Sequence, residues 1–351
     1  MTFTIDPLAI PDTLEAPGGA EFIEMIAVRN AVEAEFTGSA DASPTAQDIL
    51  PHWQDPYSPQ LLWVARVDGR IVGRGLLVFD IEEGSRVAQL GVEVHADFRR
   101  QGIGSALYDV VHAGAVAHGR VVLQGDFLTR AGDGERLASP TGFGSIPASD
   151  STRFALARGY ELQQVARASR LELPFAAAEP LATATSATGT DFRVETWVGA
   201  TPSHRVDDMA HLHSRMSTDA PAGGLEIPEE AWDAARVHAL DELRAKTATE
   251  TLVTAAEHVP TGRLVAFSEL SVPRQLNLAV HQEDTLVLSE FRGHRLGMLV
   301  KLANLAALAD RLPGHPAVVT FNAEENRPML DVNEAIGFRA YAYEGAWKRE
   351  L

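Results

Sequence analysis

The stretch from Val92 to Leu107, VEVHADFRRQGIGSAL, sets two arginines and two glycines between a Val-x-Val strand and the start of a helix. That order suits an anion. Glycines at 102 and 104 let successive backbone N–H groups approach a phosphate without a Cβ in the way, and the helix start adds unpaired donors and a partial positive charge. Arg99 and Arg100 add countercharge. The turn lacks the Gly-Lys-Ser/Thr ending of a phosphate loop that binds Mg²⁺, which argues against an ATP site.

The same layout returns in TLVLSEFRGHRLGMLVK, where Arg292 and Gly297 are in register and Arg295 takes the place of the first glycine. An arginine there either grips a phosphate through its side chain or marks a site that has lost its anion. Gly69 and Gly262, and Arg99 and Arg292, are each separated by 193 positions, which argues for duplication.

The elements that must position these turns repeat as well. In the first half a helix is predicted over 20–36. A hairpin over 61–67 and 70–79 turns at Asp68-Gly69, and a strand covers 87–94. After the glycine turn comes a helix whose Leu107, Val110, Val111 and Ala115 form one apolar stripe, then a buried strand over 121–127, a helix over 150–158 and a strand pair over 160–173. The second half repeats this with strands over 251–257, 263–270 and 285–289, a helix over 298–312, a strand over 317–321, a helix over 327–336 and a terminal strand pair. Antiparallel strands followed by strand, helix, strand make an α/β sandwich with a mixed sheet. The Ala-, Thr- and Pro-rich stretch PFAAAEPLATATSATGT reads as a linker. The expected domains are therefore 1–175 and 190–351, joined by 176–189.

Arg99-x-x-Gly102-x-Gly104 after a Val-x-Val strand resembles the GNAT acetyltransferase signature Arg/Gln-x-x-Gly-x-Gly/Ala. A second signature of that superfamily, a helix with Asn, then an apolar or Tyr position seven later, then Gly-Phe, is similar to Asn326, Asn333 and Gly337-Phe338. The first half has Ala148, Ala155 and Gly159-Tyr160 in those places. The resemblance covers both halves and extends to tandem two-domain actinobacterial acetyltransferases of the kind that includes mycothiol synthase. It implies two tandem GNAT domains, each a mixed, mostly antiparallel twisted sheet flanked by helices, and acetyl-CoA as cosubstrate.

By the same resemblance, the backbones of Val92 and Val94 pair with the pantetheine arm. Arg99, Arg100, Gln101, Gly102, Ile103, Gly104 and Ser105 hold the pyrophosphate. In the second half Val287, Arg292, Gly293, His294, Arg295, Leu296 and Gly297 are the counterparts, and Asn326 contacts the cofactor. Asn333 stands where a Tyr often protonates the departing thiolate, so it is a candidate for orienting a water or the thioester sulfur.

Direct transfer to an amine needs a group to take the amine proton and donors to hold the carbonyl oxygen. A backbone N–H near Val94 or Val287 is the natural donor. Candidate bases are Glu82, Glu83 and Glu93 in the first half, and His281, Asp284 and Glu290 in the second. His281 and Asp284 fall in a connection, 271–284, that could roof an acceptor site.

The formal charge of −18 argues against nucleic acid and anionic lipid as partners. The chain has no cysteine, which excludes thiolate metal sites and Cys-based acyl intermediates. His211 and His213 fall on different faces of one helix, so no metal is expected. No apolar run reaches spanning length, and a cytoplasmic monomer or homodimer is expected. The reading is an acetyl-CoA-dependent N-acetyltransferase acting on a small-molecule or peptide amine. A degenerate acetyl-CoA sensor without turnover is the alternative.

Overall fold

The computed structural model describes residues 2–79, 81–82, 84–130 and 134–351. The elements run β1 (Thr4–Pro7), α1 (Gly19–Thr37), α2 (Ala46–Trp53), β2 (Gln60–Val67), β3 (Arg70–Phe79), β4 (Val87–Val94), α3 (Ile103–Ala117), β5 (Val122–Arg130), β6 (Arg136–Ala138), β7 (Ser145–Pro147), α4 (Asp150–Ala157), β8 (Glu161–Glu172), α5 (Ala178–Thr188), β9 (Phe192–Val198), α6 (Val206–Asp219), α7 (Ala234–Arg244), β10 (Thr249–His258), β11 (Arg263–Pro273), β12 (Val280–Val287), α8 (Leu296–Arg311), β13 (Ala317–Ala323), α9 (Arg327–Ile336) and β14 (Arg339–Glu350). They form two compact units. Unit 1 holds Met1–Ala166, Ala222–Glu226 and Ala342–Leu351, and unit 2 holds Arg167–Pro221 and Ile227–Tyr341.

In unit 1 the strands run in the order β1-β2-β3-β4-β5-β14, antiparallel except for the parallel pair β4 and β5. The β2–β3 turn has Asp68 at φ 49° and Gly69 at φ 81°, the two left-handed residues that match the twist of a tight hairpin. Helix α1 buries Phe22, Met25 and Ile26 against Leu62, Val64 and Ile71. Helix α3 buries Ile103 and Leu107 against Ala65, Val67 and Val72, and its Val111 and Ala115 join Leu77, Leu123 and Trp347.

Two segments distant in sequence complete unit 1. Residues 342–350 of β14 pair antiparallel with β5 from Ala342↔Arg130 to Glu350↔Val122, and the Trp347 ring stacks on Phe127 at 5.3 Å. The Gln124 amide brackets the backbone of Glu226, accepting from its N–H at 2.6 Å and donating to its carbonyl at 3.0 Å.

Unit 2 repeats the plan with the order β13-β12-β11-β10-β9, antiparallel except for the parallel pair β12 and β13. Helix α8 buries Leu296, Leu299, Val300, Leu302 and Leu305 in a core that includes Leu252, Phe267 and Val318.

Several elements differ from the sequence reading. The stretch expected to be an irregular linker contains helix α5, whose Ala184 and Thr188 are buried. Its threonines return hydrogen bonds to carbonyls four residues back, at 2.8 to 3.1 Å, so they do not interrupt the helix. Each expected late strand pair, over 160–173 and at the C-terminus, is one twelve-residue strand, β8 and β14. Strand β12 begins at Val280, five residues before the strand expected over 285–289, so His281 and Asp284 lie within the sheet and not on a roofing loop.

Candidate active site

In each unit the parallel strands pair briefly and then part. β4 and β5 are in register only at Val87↔Val122, Ala88↔Leu123 and Gln89↔Gln124, and β12 and β13 only at Val280↔Val318 and His281↔Val319. At the parting in unit 1, Gly125 packs so close that a Cβ there would lie 2.4 Å from the Leu90 carbonyl oxygen. Beyond these points Leu90–Val94 and Gln282–Val287 carry backbone not paired to the neighbouring parallel strand, a slot open to an extended ligand with amide groups.

Each parted strand leads into the sequence-predicted turn. Gly102, at φ 88°, caps α3 and Arg295, at φ 60°, caps α8, both left-handed and neither with a side-chain cap bond. The first helical bonds are Ala106 N–H to Gly102 O at 3.0 Å and Leu299 N–H to Arg295 O at 3.1 Å. The amides before them, Ile103 to Ser105 and Leu296 to Met298, are the unbonded donors of each helix start. A Cβ at Gly102 would meet nothing within 4 Å, so this face of the turn is open. Gly104 and Gly297 hold each helix against its strand, their Cβ positions 3.6 and 3.7 Å from Cγ2 of Val94 and Val287.

The motif arginines do something else. Arg99 donates through Nε to the Val94 carbonyl at 2.9 Å and grips Glu35 through both terminal nitrogens at 2.8 and 2.7 Å. Arg292 repeats this, bonding the Val287 carbonyl at 3.3 Å and Asp219 at 3.2 Å. Both staple the strand end to the turn. The arginines left to face solvent are Arg100, 3.5 Å from Asp150, and Arg295, whose side chain has no ion pair or hydrogen bond among the described residues. Gln101 reaches the Asp97 carbonyl at 3.5 Å, Ser105 is exposed, and His294 lies against the Phe192 ring at 5.3 Å.

The candidate bases separate clearly. Glu93 is held by Arg74, itself buried, through bonds of 2.7 and 3.0 Å, so its carboxylate is occupied. Glu290 is exposed beside its turn, and hydrogen bonds from its own backbone N–H and from Ser289 hold its pKa low. His281 pairs with Ser271 in the sheet, Glu82 lies in the β3–β4 connection, and Glu83 lies outside the described residues.

Asp284 sits at a bulge. The register of β11 and β12 shifts between Ser268↔Thr285 and Leu270↔Gln282, which sets Glu283 and Asp284 opposite Glu269 alone. Glu269 is buried and paired with Arg244 at 3.0 and 2.5 Å. Packing around Asp284 and the charges on Glu269 and Glu283 push its carboxyl up to about 7, although its outer edge meets solvent, whereas the neighbouring Glu283 is exposed. A carboxyl that titrates near neutrality can take a proton from a bound amine.

Unit 1 has an acidic group that sequence patterning missed. Glu344 on β14 is raised well above the usual carboxylate range by burial, by the charge and hydrogen bond of Asp126, and by the charge of Glu33. Only the strand register, linking residues 344 and 128, brings these together.

Asn333 is 1% exposed; its Nδ2 donates to Asn322 Oδ1 at 2.6 Å, while its Oδ1 has no partner. Asn326 occupies the N-cap of α9 without a side-chain cap bond. Among the described residues no group of three or more His, Cys, Asp or Glu could hold a metal, and no helix is long and apolar enough to cross a membrane.

Residues 25–124 match the family model described as Acetyltransferase (GNAT) family. The chain is similar to a tandem GNAT protein from the clavulanic acid biosynthesis pathway, at 26% identity and TM-score 0.75, over 99% of this chain and 98% of that one. It also shares its fold with a GCN5-related N-acetyltransferase from Sphaerobacter thermophilus, at 14% identity and TM-score 0.64, over 99% and 95% of the two chains. A third likeness in fold is to a fungal GCN5-related glucosamine N-acetyltransferase region, at 15% identity and TM-score 0.61, over 99% of this chain and 38% of that one. No curated protein matches the sequence.

Proposed function

We propose, from the premise that this chain is a tandem GNAT protein with a GNAT family domain at residues 25–124, that it transfers acetyl from acetyl-CoA to an amine and that unit 2 performs the transfer. The observation that carries the choice of unit is Asp284, raised to about 7 at the bulge where β12 has parted from β13. A base with a pKa near the working pH combines a useful ionised fraction with enough affinity for the proton.

Each turn and its helix start would take the diphosphate of the cosubstrate, with Arg295, and Arg100 on releasing Asp150, as the side chains able to reach it. The parted strand would pair with the amides of the pantetheine arm. An N–H near Val287 would hold the carbonyl oxygen while Asp284 takes a proton from the bound ammonium, whose freed lone pair attacks the thioester carbon. As the N–C bond forms the C–S bond breaks, and the proton the nitrogen then sheds ends on the CoA sulfur. Excess carboxylate around Asp284, from Glu269 and Glu283 against the single Arg244, favours an acceptor that arrives as a cation.

Unit 1 has Ala155 in the family's Tyr position and its Glu93 taken by Arg74, features that favour acyl-CoA binding there without turnover. The test is an amine panel with acetyl-CoA, reading CoA thiol release, on wild type and Asp284→Asn. Acceptor-dependent release that Asp284→Asn abolishes supports the reading. Stabilisation by CoA with no release for any amine supports the sensor instead.

A further inference from the structure

Basic residues in this chain are 27 arginines and three lysines, Lys246, Lys301 and Lys348. One of the three, Lys301 on α8, is 1% exposed. It makes no hydrogen bond or ion pair among the described residues, and its ammonium lies 5.8 Å over the ring of Phe338. Burying an unpaired cation is expensive, and arginine cannot escape the cost because it does not lose its proton in a protein. Lysine can. A chain that uses arginine almost everywhere thus has, at its buried unpaired position, the one basic side chain able to become a neutral amine.

We infer, resting on the acetyl-CoA reading of unit 2, that Lys301 is itself an acetyl acceptor and that the chain acetylates its own buried amine. Lys301 lies six residues beyond Arg295, the cap of the helix that begins at the anion turn, which is about 9 Å along the helix axis. Across from it, Phe338 closes the end of α9, its N–H bonded to the Asn333 carbonyl at 3.0 Å. Asn333 carries the buried Oδ1 that lacks a donor. The amide N–H formed on acetylation is a donor of the missing kind.

The chemistry balances without a further reactant. The Nζ lone pair attacks the thioester carbonyl carbon, an N–C bond forms and the C–S bond breaks. The proton leaving the nitrogen ends on the CoA sulfur, giving acetyl-lysine and free thiol. Burial alone pushes Lys301 down to about 7, with no neighbouring charge contributing, so the lone pair is available near neutrality. Acetylation then replaces a poorly solvated ammonium with a neutral amide.

Wild-type protein incubated with acetyl-CoA at pH 6 and pH 8, followed by peptide mapping by mass spectrometry, tests this directly, with thermal shift by CoA measured in parallel. Acetyl on Lys301, formed about tenfold faster at pH 8 than at pH 6 and ahead of exposed Lys246, is the expected result. Thermal stabilisation by CoA with Lys301 unmodified, or modified no faster than Lys246, overturns the inference and leaves the transferase reading standing. No stabilisation and no modification overturn both.

Discussion

Gly102 and Arg295 occupy the same left-handed position, 193 residues apart, at the start of α3 and α8. Two residues earlier the pair is reversed: Arg100 has φ 61° and Gly293 has φ 88°. Each turn therefore contains two left-handed residues, one glycine and one arginine, in opposite order. Arginine in this region carries a strain of about 1 kcal/mol that glycine does not, so an arginine at either position marks a side chain that does something there.

Arg295→Gly is accordingly expected to keep the turn and fold at least as stably as wild type, while weakening CoA binding by about tenfold, the scale of one lost charge-assisted contact. Gly102→Glu, which puts a carboxylate on the open face of the other turn, is expected to remove binding at unit 1 only. Calorimetric titration of CoA into each variant reads both affinity and site number. Unchanged affinity in Arg295→Gly would show that its backbone, not its side chain, is used.

Asp284→Asn is expected to lower acceptor-dependent turnover by about 10² to 10⁴-fold with little change in CoA affinity. The wild-type rate should rise with pH through about 7, since the base must be ionised. A pH–rate profile identical in shape for wild type and variant would remove Asp284 from the mechanism.

His213, stacked on Trp232 at 4.6 Å, is buried in its neutral form, its pKa pushed down to about 3 by desolvation and by Arg244 and Arg236. The unfolded chain binds a proton there below about 6.5 and the folded chain does not, so stability is complete above 6.5 and falls as pH drops from 6.5 toward 3. His213→Phe should therefore lose about 2 kcal/mol less than wild type between pH 6.5 and pH 5, as read by urea unfolding. An equal loss in both proteins would show that His213 titrates freely when folded.

Features encoded by adjacent residues are readable in the sequence: the Asp68-Gly69 hairpin, helices α1 and α9, and the two Gly- and Arg-bearing turns with the helices they open. What escaped depends on partners far away in sequence. Glu283-Asp284 breaks the alternation that marks a strand, because both residues share one partner at a bulge, so the expected strand starts five residues later than β12 does. The two motif arginines read as phosphate ligands, but Glu35 and Asp219 lie 64 and 73 residues from them and could not be foreseen as their partners. Glu344 meets Asp126 only through the β5–β14 register. Lys301 did leave a trace, its rarity among arginines.

Removal of residues 342–351 is expected to unfold unit 1. It takes away the whole β5–β14 ladder and Trp347, among the largest fully buried side chains, and leaves the edge of β5 bare. Loss of the cooperative thermal transition of unit 1, with aggregation, is the expected result. A soluble truncated protein with an unchanged melting profile would show that β14 is dispensable.

The same strand sets a schedule for synthesis. A protein grows from its N-terminus, and a first domain ordinarily folds while the next is still being made. Here the residues that finish the sheet of the first unit come off the ribosome more than two hundred positions after β5, so that unit must wait, incomplete, until they are made. A chain halted early is thus left with an unfinished first unit, a flaw that chaperones and proteases can detect before any acyl-CoA chemistry begins.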